Sequence, residues 1–265
     1  MMEYQSILYA KEEGVAIITF NLPHKRNAIT AQMAGEIDTA LFDAEGDRDI
    51  AAVVITGGEK YFTAGADVND IVSGHGEEPT SVRMYEMHYP TQAVFRHISR
   101  MNKPTIAAIA GYAFGGGLEM ALCCDFRIGT EKAKLGLPEI TLGIIPGAGG
   151  TQRLSRTIGL ARAKELVLTG ETISADRAYE FGLITKVVKE GTLLSEAKAY
   201  AGKFKALPPF GLRIAKTVLD KGINMGLDDA LELEQLGFCM LYSTEDQKEG
   251  VRAFAEKRSP RFKGR

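Results

Sequence analysis

The sequence predicts an α/β fold, with helices covering a mostly parallel sheet and a largely helical region after it. Two patterns carry this. From Ile7 to about Gly136, apolar runs of strand length alternate with segments of helical period. From Ala161 onward the helical period dominates. The 265 residues, 45% hydrophobic and 25% charged, are enough to bury a sizeable core and exclude a disordered or fibrous chain.

Ile7–Ala10 and Val15–Phe20 read as strands joined by Lys11-Glu12-Glu13-Gly14, a hairpin with glycine where the turn needs positive φ. Ala31–Asp43 has apolar residues at Met33, Ile37, Ala40 and Leu41 behind a Thr30 cap, which predicts a helix. Ala51–Thr56 reads as a buried strand. Strand Thr105–Ala110, a glycine loop, a helix from about Gly116 to Cys124, strand Phe126–Gly129 and a short strand at Lys134–Gly136 follow. Helices are predicted over Ala161–Leu168, Ala175–Phe181, Leu193–Ala206, Pro208–Lys221 and Leu227–Leu241, interrupted by a strand at Ile184–Val188. Pro208-Pro209 is the clearest punctuation, because a residue before proline is pushed out of the helical region. It supports a division into a core at 1–199 and a helical region at 200–265.

The near balance of 32 basic and 34 acidic residues argues against a general footprint for nucleic acid. The longest uncharged run, Pro104–Leu118, is 15 residues with four glycines and too short to span a membrane. Glu3 interrupts any secretory start, so the cytoplasm is the expected location. Cys123, Cys124 and Cys239 form neither a disulfide framework nor a zinc spacing, and all three are expected to be buried thiols. The four histidines show no metal-site pairing.

Glycine is abundant, yet no G-x-G-x-x-G, phosphate-loop, G-x-S-x-G or H-E-x-x-H pattern occurs. Gly115-Gly116-Gly117 alone fits a close-packing turn. Its place at a helix start adds unpaired N–H groups at the positive end of the helix dipole, where a developing oxyanion is stabilised. Glu119 follows among Leu118, Met120, Ala121 and Leu122, and Glu139 lies between Pro138 and Ile140. Carboxyls in such apolar settings are expensive unless used, and a pair of them points to acid/base chemistry. In Tyr61-Phe62-Thr63-Ala64-Gly65-Ala66-Asp67-Val68, small residues allow a backbone to approach a ligand closely, although a loop ending in an Asp67 helix cap reads equally from propensity.

These segments, with Asn21-Leu22-Pro23-His24-Lys25-Arg26-Asn27-Ala28, Pro146-Gly147-Ala148-Gly149-Gly150-Thr151 and Thr244-Glu245-Asp246-Gln247-Lys248-Glu249-Gly250 preceding Ala253-Phe254, resemble in order and spacing the crotonase superfamily, and within it the enoyl-CoA hydratases. The resemblance implies a spiral of ββα turns with a C-terminal helical region that builds a trimer, commonly doubled to a hexamer. It implies an acyl-CoA thioester substrate, with no metal or redox cofactor. The amides of Ala66 and Gly116 would bind the thioester oxygen, and Glu119 and Glu139 would be the acid/base pair. Lys25, Arg26, Ala28, Ala64, Ala66, Asp67 and Val68 would line the coenzyme A site, and Phe254 and Lys257 would reach it from a neighbouring subunit. Asn69 follows Val68 where a lysine is frequent in the family, so the phosphate contact of that lysine is not carried over to this chain. Ile71–His88 is where the family selects acyl tails, with Met84, Tyr85, Met87 and Tyr89 as pocket candidates. An enoyl-CoA isomerase, an acyl-CoA hydrolase, a cyclic dienoyl-CoA hydratase and a noncatalytic acyl-CoA or RNA binding protein are the alternatives. Isomerases of the family commonly need only the carboxylate at the position of Glu139, so Glu119 favours hydration.

Overall fold

The computed structural model of the chain describes residues 4–67 and 81–265. It opens with the hairpin β1 (Ile7–Glu12) and β2 (Val15–Phe20), turned by Glu13 and Gly14 at φ +50° and +80°. Helix α1 (Ala31–Gly46), whose Thr30 cap hydroxyl accepts from the Met33 N–H, leads to β3 (Ala52–Thr56), and α2 (Ser81–Arg100) leads to β4 (Thr105–Ile109). The chain continues through β5 (Tyr112–Phe114), α3 (Gly116–Cys123), β6 (Phe126–Thr130) and β7 (Lys134–Gly136). Then come α4 (Gly150–Ile158), α5 (Leu160–Thr169), β8 (Thr172–Ser174), α6 (Ala175–Glu180), β9 (Lys186–Val188) and α7 (Leu193–Gly202). Helices α8 (Pro209–Gly222), α9 (Leu227–Tyr242) and α10 (Glu245–Ala255) complete the chain.

The larger sheet runs β1-β2-β3-β4-β6-β9 and is parallel from β2 onward. A smaller sheet runs β5-β7-β8. Successive turns place one strand in each, β4 then β5, β6 then β7. Single bridges at Ile29–Ala66 and Thr63–Ala113 extend the smaller sheet towards the N-terminal loops. This is the two-sheet ββα spiral that the resemblance implies.

Strand alternation divides the core. Ala16, Ile18, Val53, Ile55, Ala107 and Ile109 face a cluster shared with α1, α2 and α3. Val15, Ile17, Val54, Ile106 and Ala108 face the opposite way, where Leu193, Ala197 and Ala201 of α7 cover them. Burial on both faces explains why these strands read as unbroken apolar runs.

Several sequence expectations need correction. The helix expected over Leu193–Ala206 ends at Gly202 and tightens into a 3-10 turn at Lys203–Ala206. Cys123 and Cys124 are buried, but Cys239 is exposed, because α9 turns most of its apolar residues outward. Helices α2, α4 and α10 and strands β5 and β8 did not stand out in the pattern. Among the described residues, no helix is long and apolar enough to cross a membrane, and no cluster of ligating side chains could hold a metal.

Candidate active site

Two loops meet at the start of α3. Phe62 N–H donates to Ala110 and Tyr112 carbonyls, and Phe114 N–H donates to Thr63, which lays the 62–66 segment along β5. The approach is close enough to demand glycine. A β-carbon at Gly117 would stand 2.9 Å from the Thr63 carbonyl oxygen, and one at Gly65, φ +97°, would stand 2.8 Å from that of Phe114. The result is that Gly65-Ala66 abuts Gly115-Gly116, with the position of a Gly116 β-carbon 3.4 Å from Ala66 N. Neither the Ala66 nor the Gly116 N–H is among the backbone donors bonded within the described residues, and Gly116 is the first residue of the helix, where donors are orphaned.

Both glutamates lie beside this junction, in unlike settings. Glu119 is 3% exposed on α3, and its Oε1 accepts from the N–H groups of Ala148 and Gly150, each at 2.7 Å. Two amide donors at the first turn of α4 favour the ionised carboxylate. Glu139 stands in a 3-10 turn, Pro138–Leu142, with its Oε1 3.1 Å from where a β-carbon of Gly115 would be. Among the described residues no group donates to its buried Oε2. Burial, helped by the charge of Glu119, pushes the Glu139 carboxyl up to about 7. One carboxylate is stabilised as an anion while its neighbour holds a proton near neutral pH.

The N-terminal loop completes the site. Ile29 N–H donates to Gly65 and Ala64 N–H to Arg26, so residues 25–28 lie against 64–67. Lys25 Nζ pairs with Asp67 Oδ2 at 2.7 Å, and Asp67 is buried. Asp67 is therefore an ion-pair partner that fixes the loop. Arg26 and Asn27 take left-handed φ of 52° and 54°, and Ala28 is buried behind them. Ala64 and Ala66 are exposed.

The chain thus brings together Lys25, Arg26, Ala28, Ala64, Ala66, Asp67, Gly116, Glu119 and Glu139. Val68 lies outside the described residues, as do the side chains of Met84, Met87 and Tyr89. Tyr85 is on α2 and exposed. Among the described residues, no hydrogen bond, ion pair or ring contact joins Phe254 or Lys257 to these loops. Phe254 is 87% exposed on α10, and Lys257 takes φ +53° just beyond it. Sequence reasoning assigned no role to Ala148 and Gly150, which support Glu119, although Pro146–Thr151 was singled out as a glycine-rich segment. Their donors are backbone groups, and only their glycine and alanine neighbours could have signalled them.

Residues 10–265 match the model of the enoyl-CoA hydratase/isomerase family. The chain is 40% identical over 258 residues to a short-chain-enoyl-CoA hydratase of Clostridium acetobutylicum, covering 97% of each. It is likewise 40% identical over 262 residues to a crotonyl-CoA hydratase of Syntrophomonas wolfei, covering 98% of this chain and 99% of that one. The solved structure of an enoyl-CoA hydratase from Bacillus anthracis superposes with a TM-score of 0.92 at 38% identity, covering 98% of this chain and all of the other. With this fold and nearly full-length matches, the chain belongs to the enoyl-CoA hydratase/isomerase family.

Proposed function

We propose that the chain is an enoyl-CoA hydratase, adding water reversibly across the 2,3 double bond of an enoyl-CoA thioester. The observation that carries this is the unequal glutamate pair, one carboxylate held by two amides and one pushed up to about 7, beside a junction of orphaned N–H groups. The Ala66 and Gly116 amides receive the thioester oxygen, which draws electron density from the double bond and makes the β carbon electrophilic. Such a donor is worth about 2.7–4 kcal/mol of barrier. Glu119 accepts a proton from water as its oxygen bonds to the β carbon, and Glu139 delivers its proton to the α carbon. One water is consumed, and proton exchange between the carboxyls and solvent restores the starting state.

Lys25, Arg26, Ala28, Ala64, Ala66 and Asp67 hold the coenzyme A portion, which enters as part of the substrate. Phe254 and Lys257 contribute from a neighbouring subunit of a trimer or hexamer. Exposed Leu219, Ile223, Leu227, Leu236 and Phe238 on or beside α8 and α9 support such an assembly, since so much apolar surface is costly in water. The 40%-identical relatives named for short-chain and crotonyl esters support a short acyl chain. The test is to follow loss of enoyl absorbance when the protein meets crotonyl-CoA. Hydration is expected, and Glu119→Gln should slow it by about 100-fold. A folded protein inert towards enoyl-CoA esters of every chain length tried would overturn the proposal.

A further inference from the structure

We infer that Gln92 is a positioning residue that holds the Gly147–Ala148 peptide in the orientation Glu119 requires. This rests on the hydratase reading for its catalytic consequence and on geometry for its structural one. A trans peptide is planar, with its C=O and N–H pointing in opposite directions, so fixing one end aims the other. The Ala148 N–H that donates to Glu119 shares its peptide unit with the Gly147 carbonyl. Gln92 Nε2 on α2 donates to that carbonyl at 3.0 Å. Arg96 Nη2, one turn further along α2, lies 3.3 Å from Gln92 Oε1, which leaves Nε2 as the end that faces the loop.

The second donor is held by the same logic. The Gly150 N–H shares its unit with the Gly149 carbonyl, which accepts from the N–H groups of Arg153 at 2.8 Å and Gln152 at 3.1 Å. Arg153 Nη1 also reaches the Ala148 carbonyl between them, at 2.8 Å, and Nη2 is tied to Ser99 Oγ on α2 at 3.3 Å. Three successive carbonyls are thus pinned on one side of the loop, while two of its N–H groups converge on one carboxylate oxygen on the other. Gly149, at φ +107°, has the Arg153 guanidinium where a side chain would start. Among the described residues outside this glycine loop and its own helix, Gln92 alone donates a side-chain hydrogen bond to the unit carrying Ala148 N–H. Donors on the carbonyl also polarise the N–H of the same unit and so strengthen its bond to Glu119.

A cavity of about 550 Å³ lies on this far side, lined by Gln92, Arg96, Arg153 and Arg156 as well as the loop. It admits water, which can partly replace a lost donor. Gln92→Leu, which removes the amide and leaves an uncharged side chain, should therefore lower kcat by about tenfold, on the order of one net hydrogen bond, and leave KM within about twofold. The acidic limb of the pH profile should move to higher pH, because Glu119 loses support for its ionised form. In a Glu119→Gln background Gln92→Leu should cause no further loss, since the carboxylate it serves is gone. Gln92→Asn, whose shorter side chain leaves the donor out of reach, should act in the same direction and serves if Gln92→Leu fails to fold. A carbon-13 titration of the Glu119 carboxyl, assigned by its disappearance in Glu119→Gln, reads the effect without turnover, and the same upward displacement is expected. If the parent hydrates crotonyl-CoA while the folded variants keep its kcat, pH profile and Glu119 titration, the positioning role is wrong and the hydratase reading stands. If the parent hydrates no enoyl-CoA ester, the hydratase reading is wrong and the titration alone decides the role of Gln92.

Discussion

Glu139→Gln should make the protein more stable and less active, with a pH dependence that identifies the cause. The carboxyl is half-buried, has no donor on Oε2 among the described residues and is pushed from an ordinary 4.5 to about 7. A raised acid favours its protonated form in the fold. Its contribution to stability is therefore fully present below pH 4.5, and is lost as pH rises, because the unfolded chain releases its proton first. The interval from 4.5 to about 7, at about 1.36 kcal/mol per pH unit, sets a ceiling of about 3 kcal/mol withdrawn by pH 8, and solvent screening at this half-buried carboxyl lowers it to about 1–2 kcal/mol. Glutamine has the same shape and no charge. Urea unfolding at fixed protomer concentration, from pH 4.5 to 8, should show the variant matching the parent at the acidic end and exceeding it progressively until the difference levels off above pH 7. Hydration should fall by about 100-fold in the same variant. A stability difference that is flat across this range, or a variant weaker than the parent at pH 8, would refute the account of a carboxyl held protonated by burial.

The same protonated Glu139 predicts that kcat/KM for hydration declines above a pH near 7, measurable as a basic limb that disappears in no variant retaining this residue's setting. Gly116→Val would add a side chain whose first carbon stands 3.4 Å from Ala66 N; hydration should drop by about 100-fold or more while urea unfolding stays near the parent, and parent-like rates would remove the two amides from the mechanism. Arg127, buried beneath α3, donates to the carbonyls of Leu183, Ala121 and Cys124, so Arg127→Met should cost about 3 kcal/mol in urea unfolding by leaving buried acceptors unpaired. Light scattering at micromolar concentration should give the mass of a trimer or hexamer, and a monomer there would argue against Phe254 and Lys257 acting across a subunit boundary.

Legibility in the sequence followed burial. Strands such as Val53–Ile55 and Ile106–Ile109 are covered on both faces, so their residues are almost all apolar and stand out. Strands β5 and β8 have three residues each, too few for alternation to register, and they exist because the smaller sheet supplies neighbours from other turns. Helix α2 hid for another reason: it contains Pro90 and an N-terminal half rich in Tyr, Met and His, and among its described side chains Val94, Phe95 and Ile98 form a buried stripe. Helices α8 and α9 were legible from period, yet α8 has no buried residue and α9 only Gly237. Periodicity reports that a helix has an apolar face; it does not say what covers that face.

The glutamate pair shows where sequence reading must stop even when it finds the right residues. As letters, Glu119 and Glu139 are equivalent, each behind a glycine or proline and followed by apolar residues. Their division into an anion and an acid depends on groups without a sequence signature of their own. The Ala148 and Gly150 amides reach Glu119 across separations of 29 and 31 residues, whereas Glu139 is buried beside Gly115 in the field of its partner. The asymmetry is self-reinforcing. Each donor that stabilises charge on Glu119 raises the cost of a second charge beside it, and so keeps the proton on Glu139. A hydration site needs one group to take a proton while the other gives one, and here burial raises the acid while a loop that supplies N–H groups to its neighbour favours the anion.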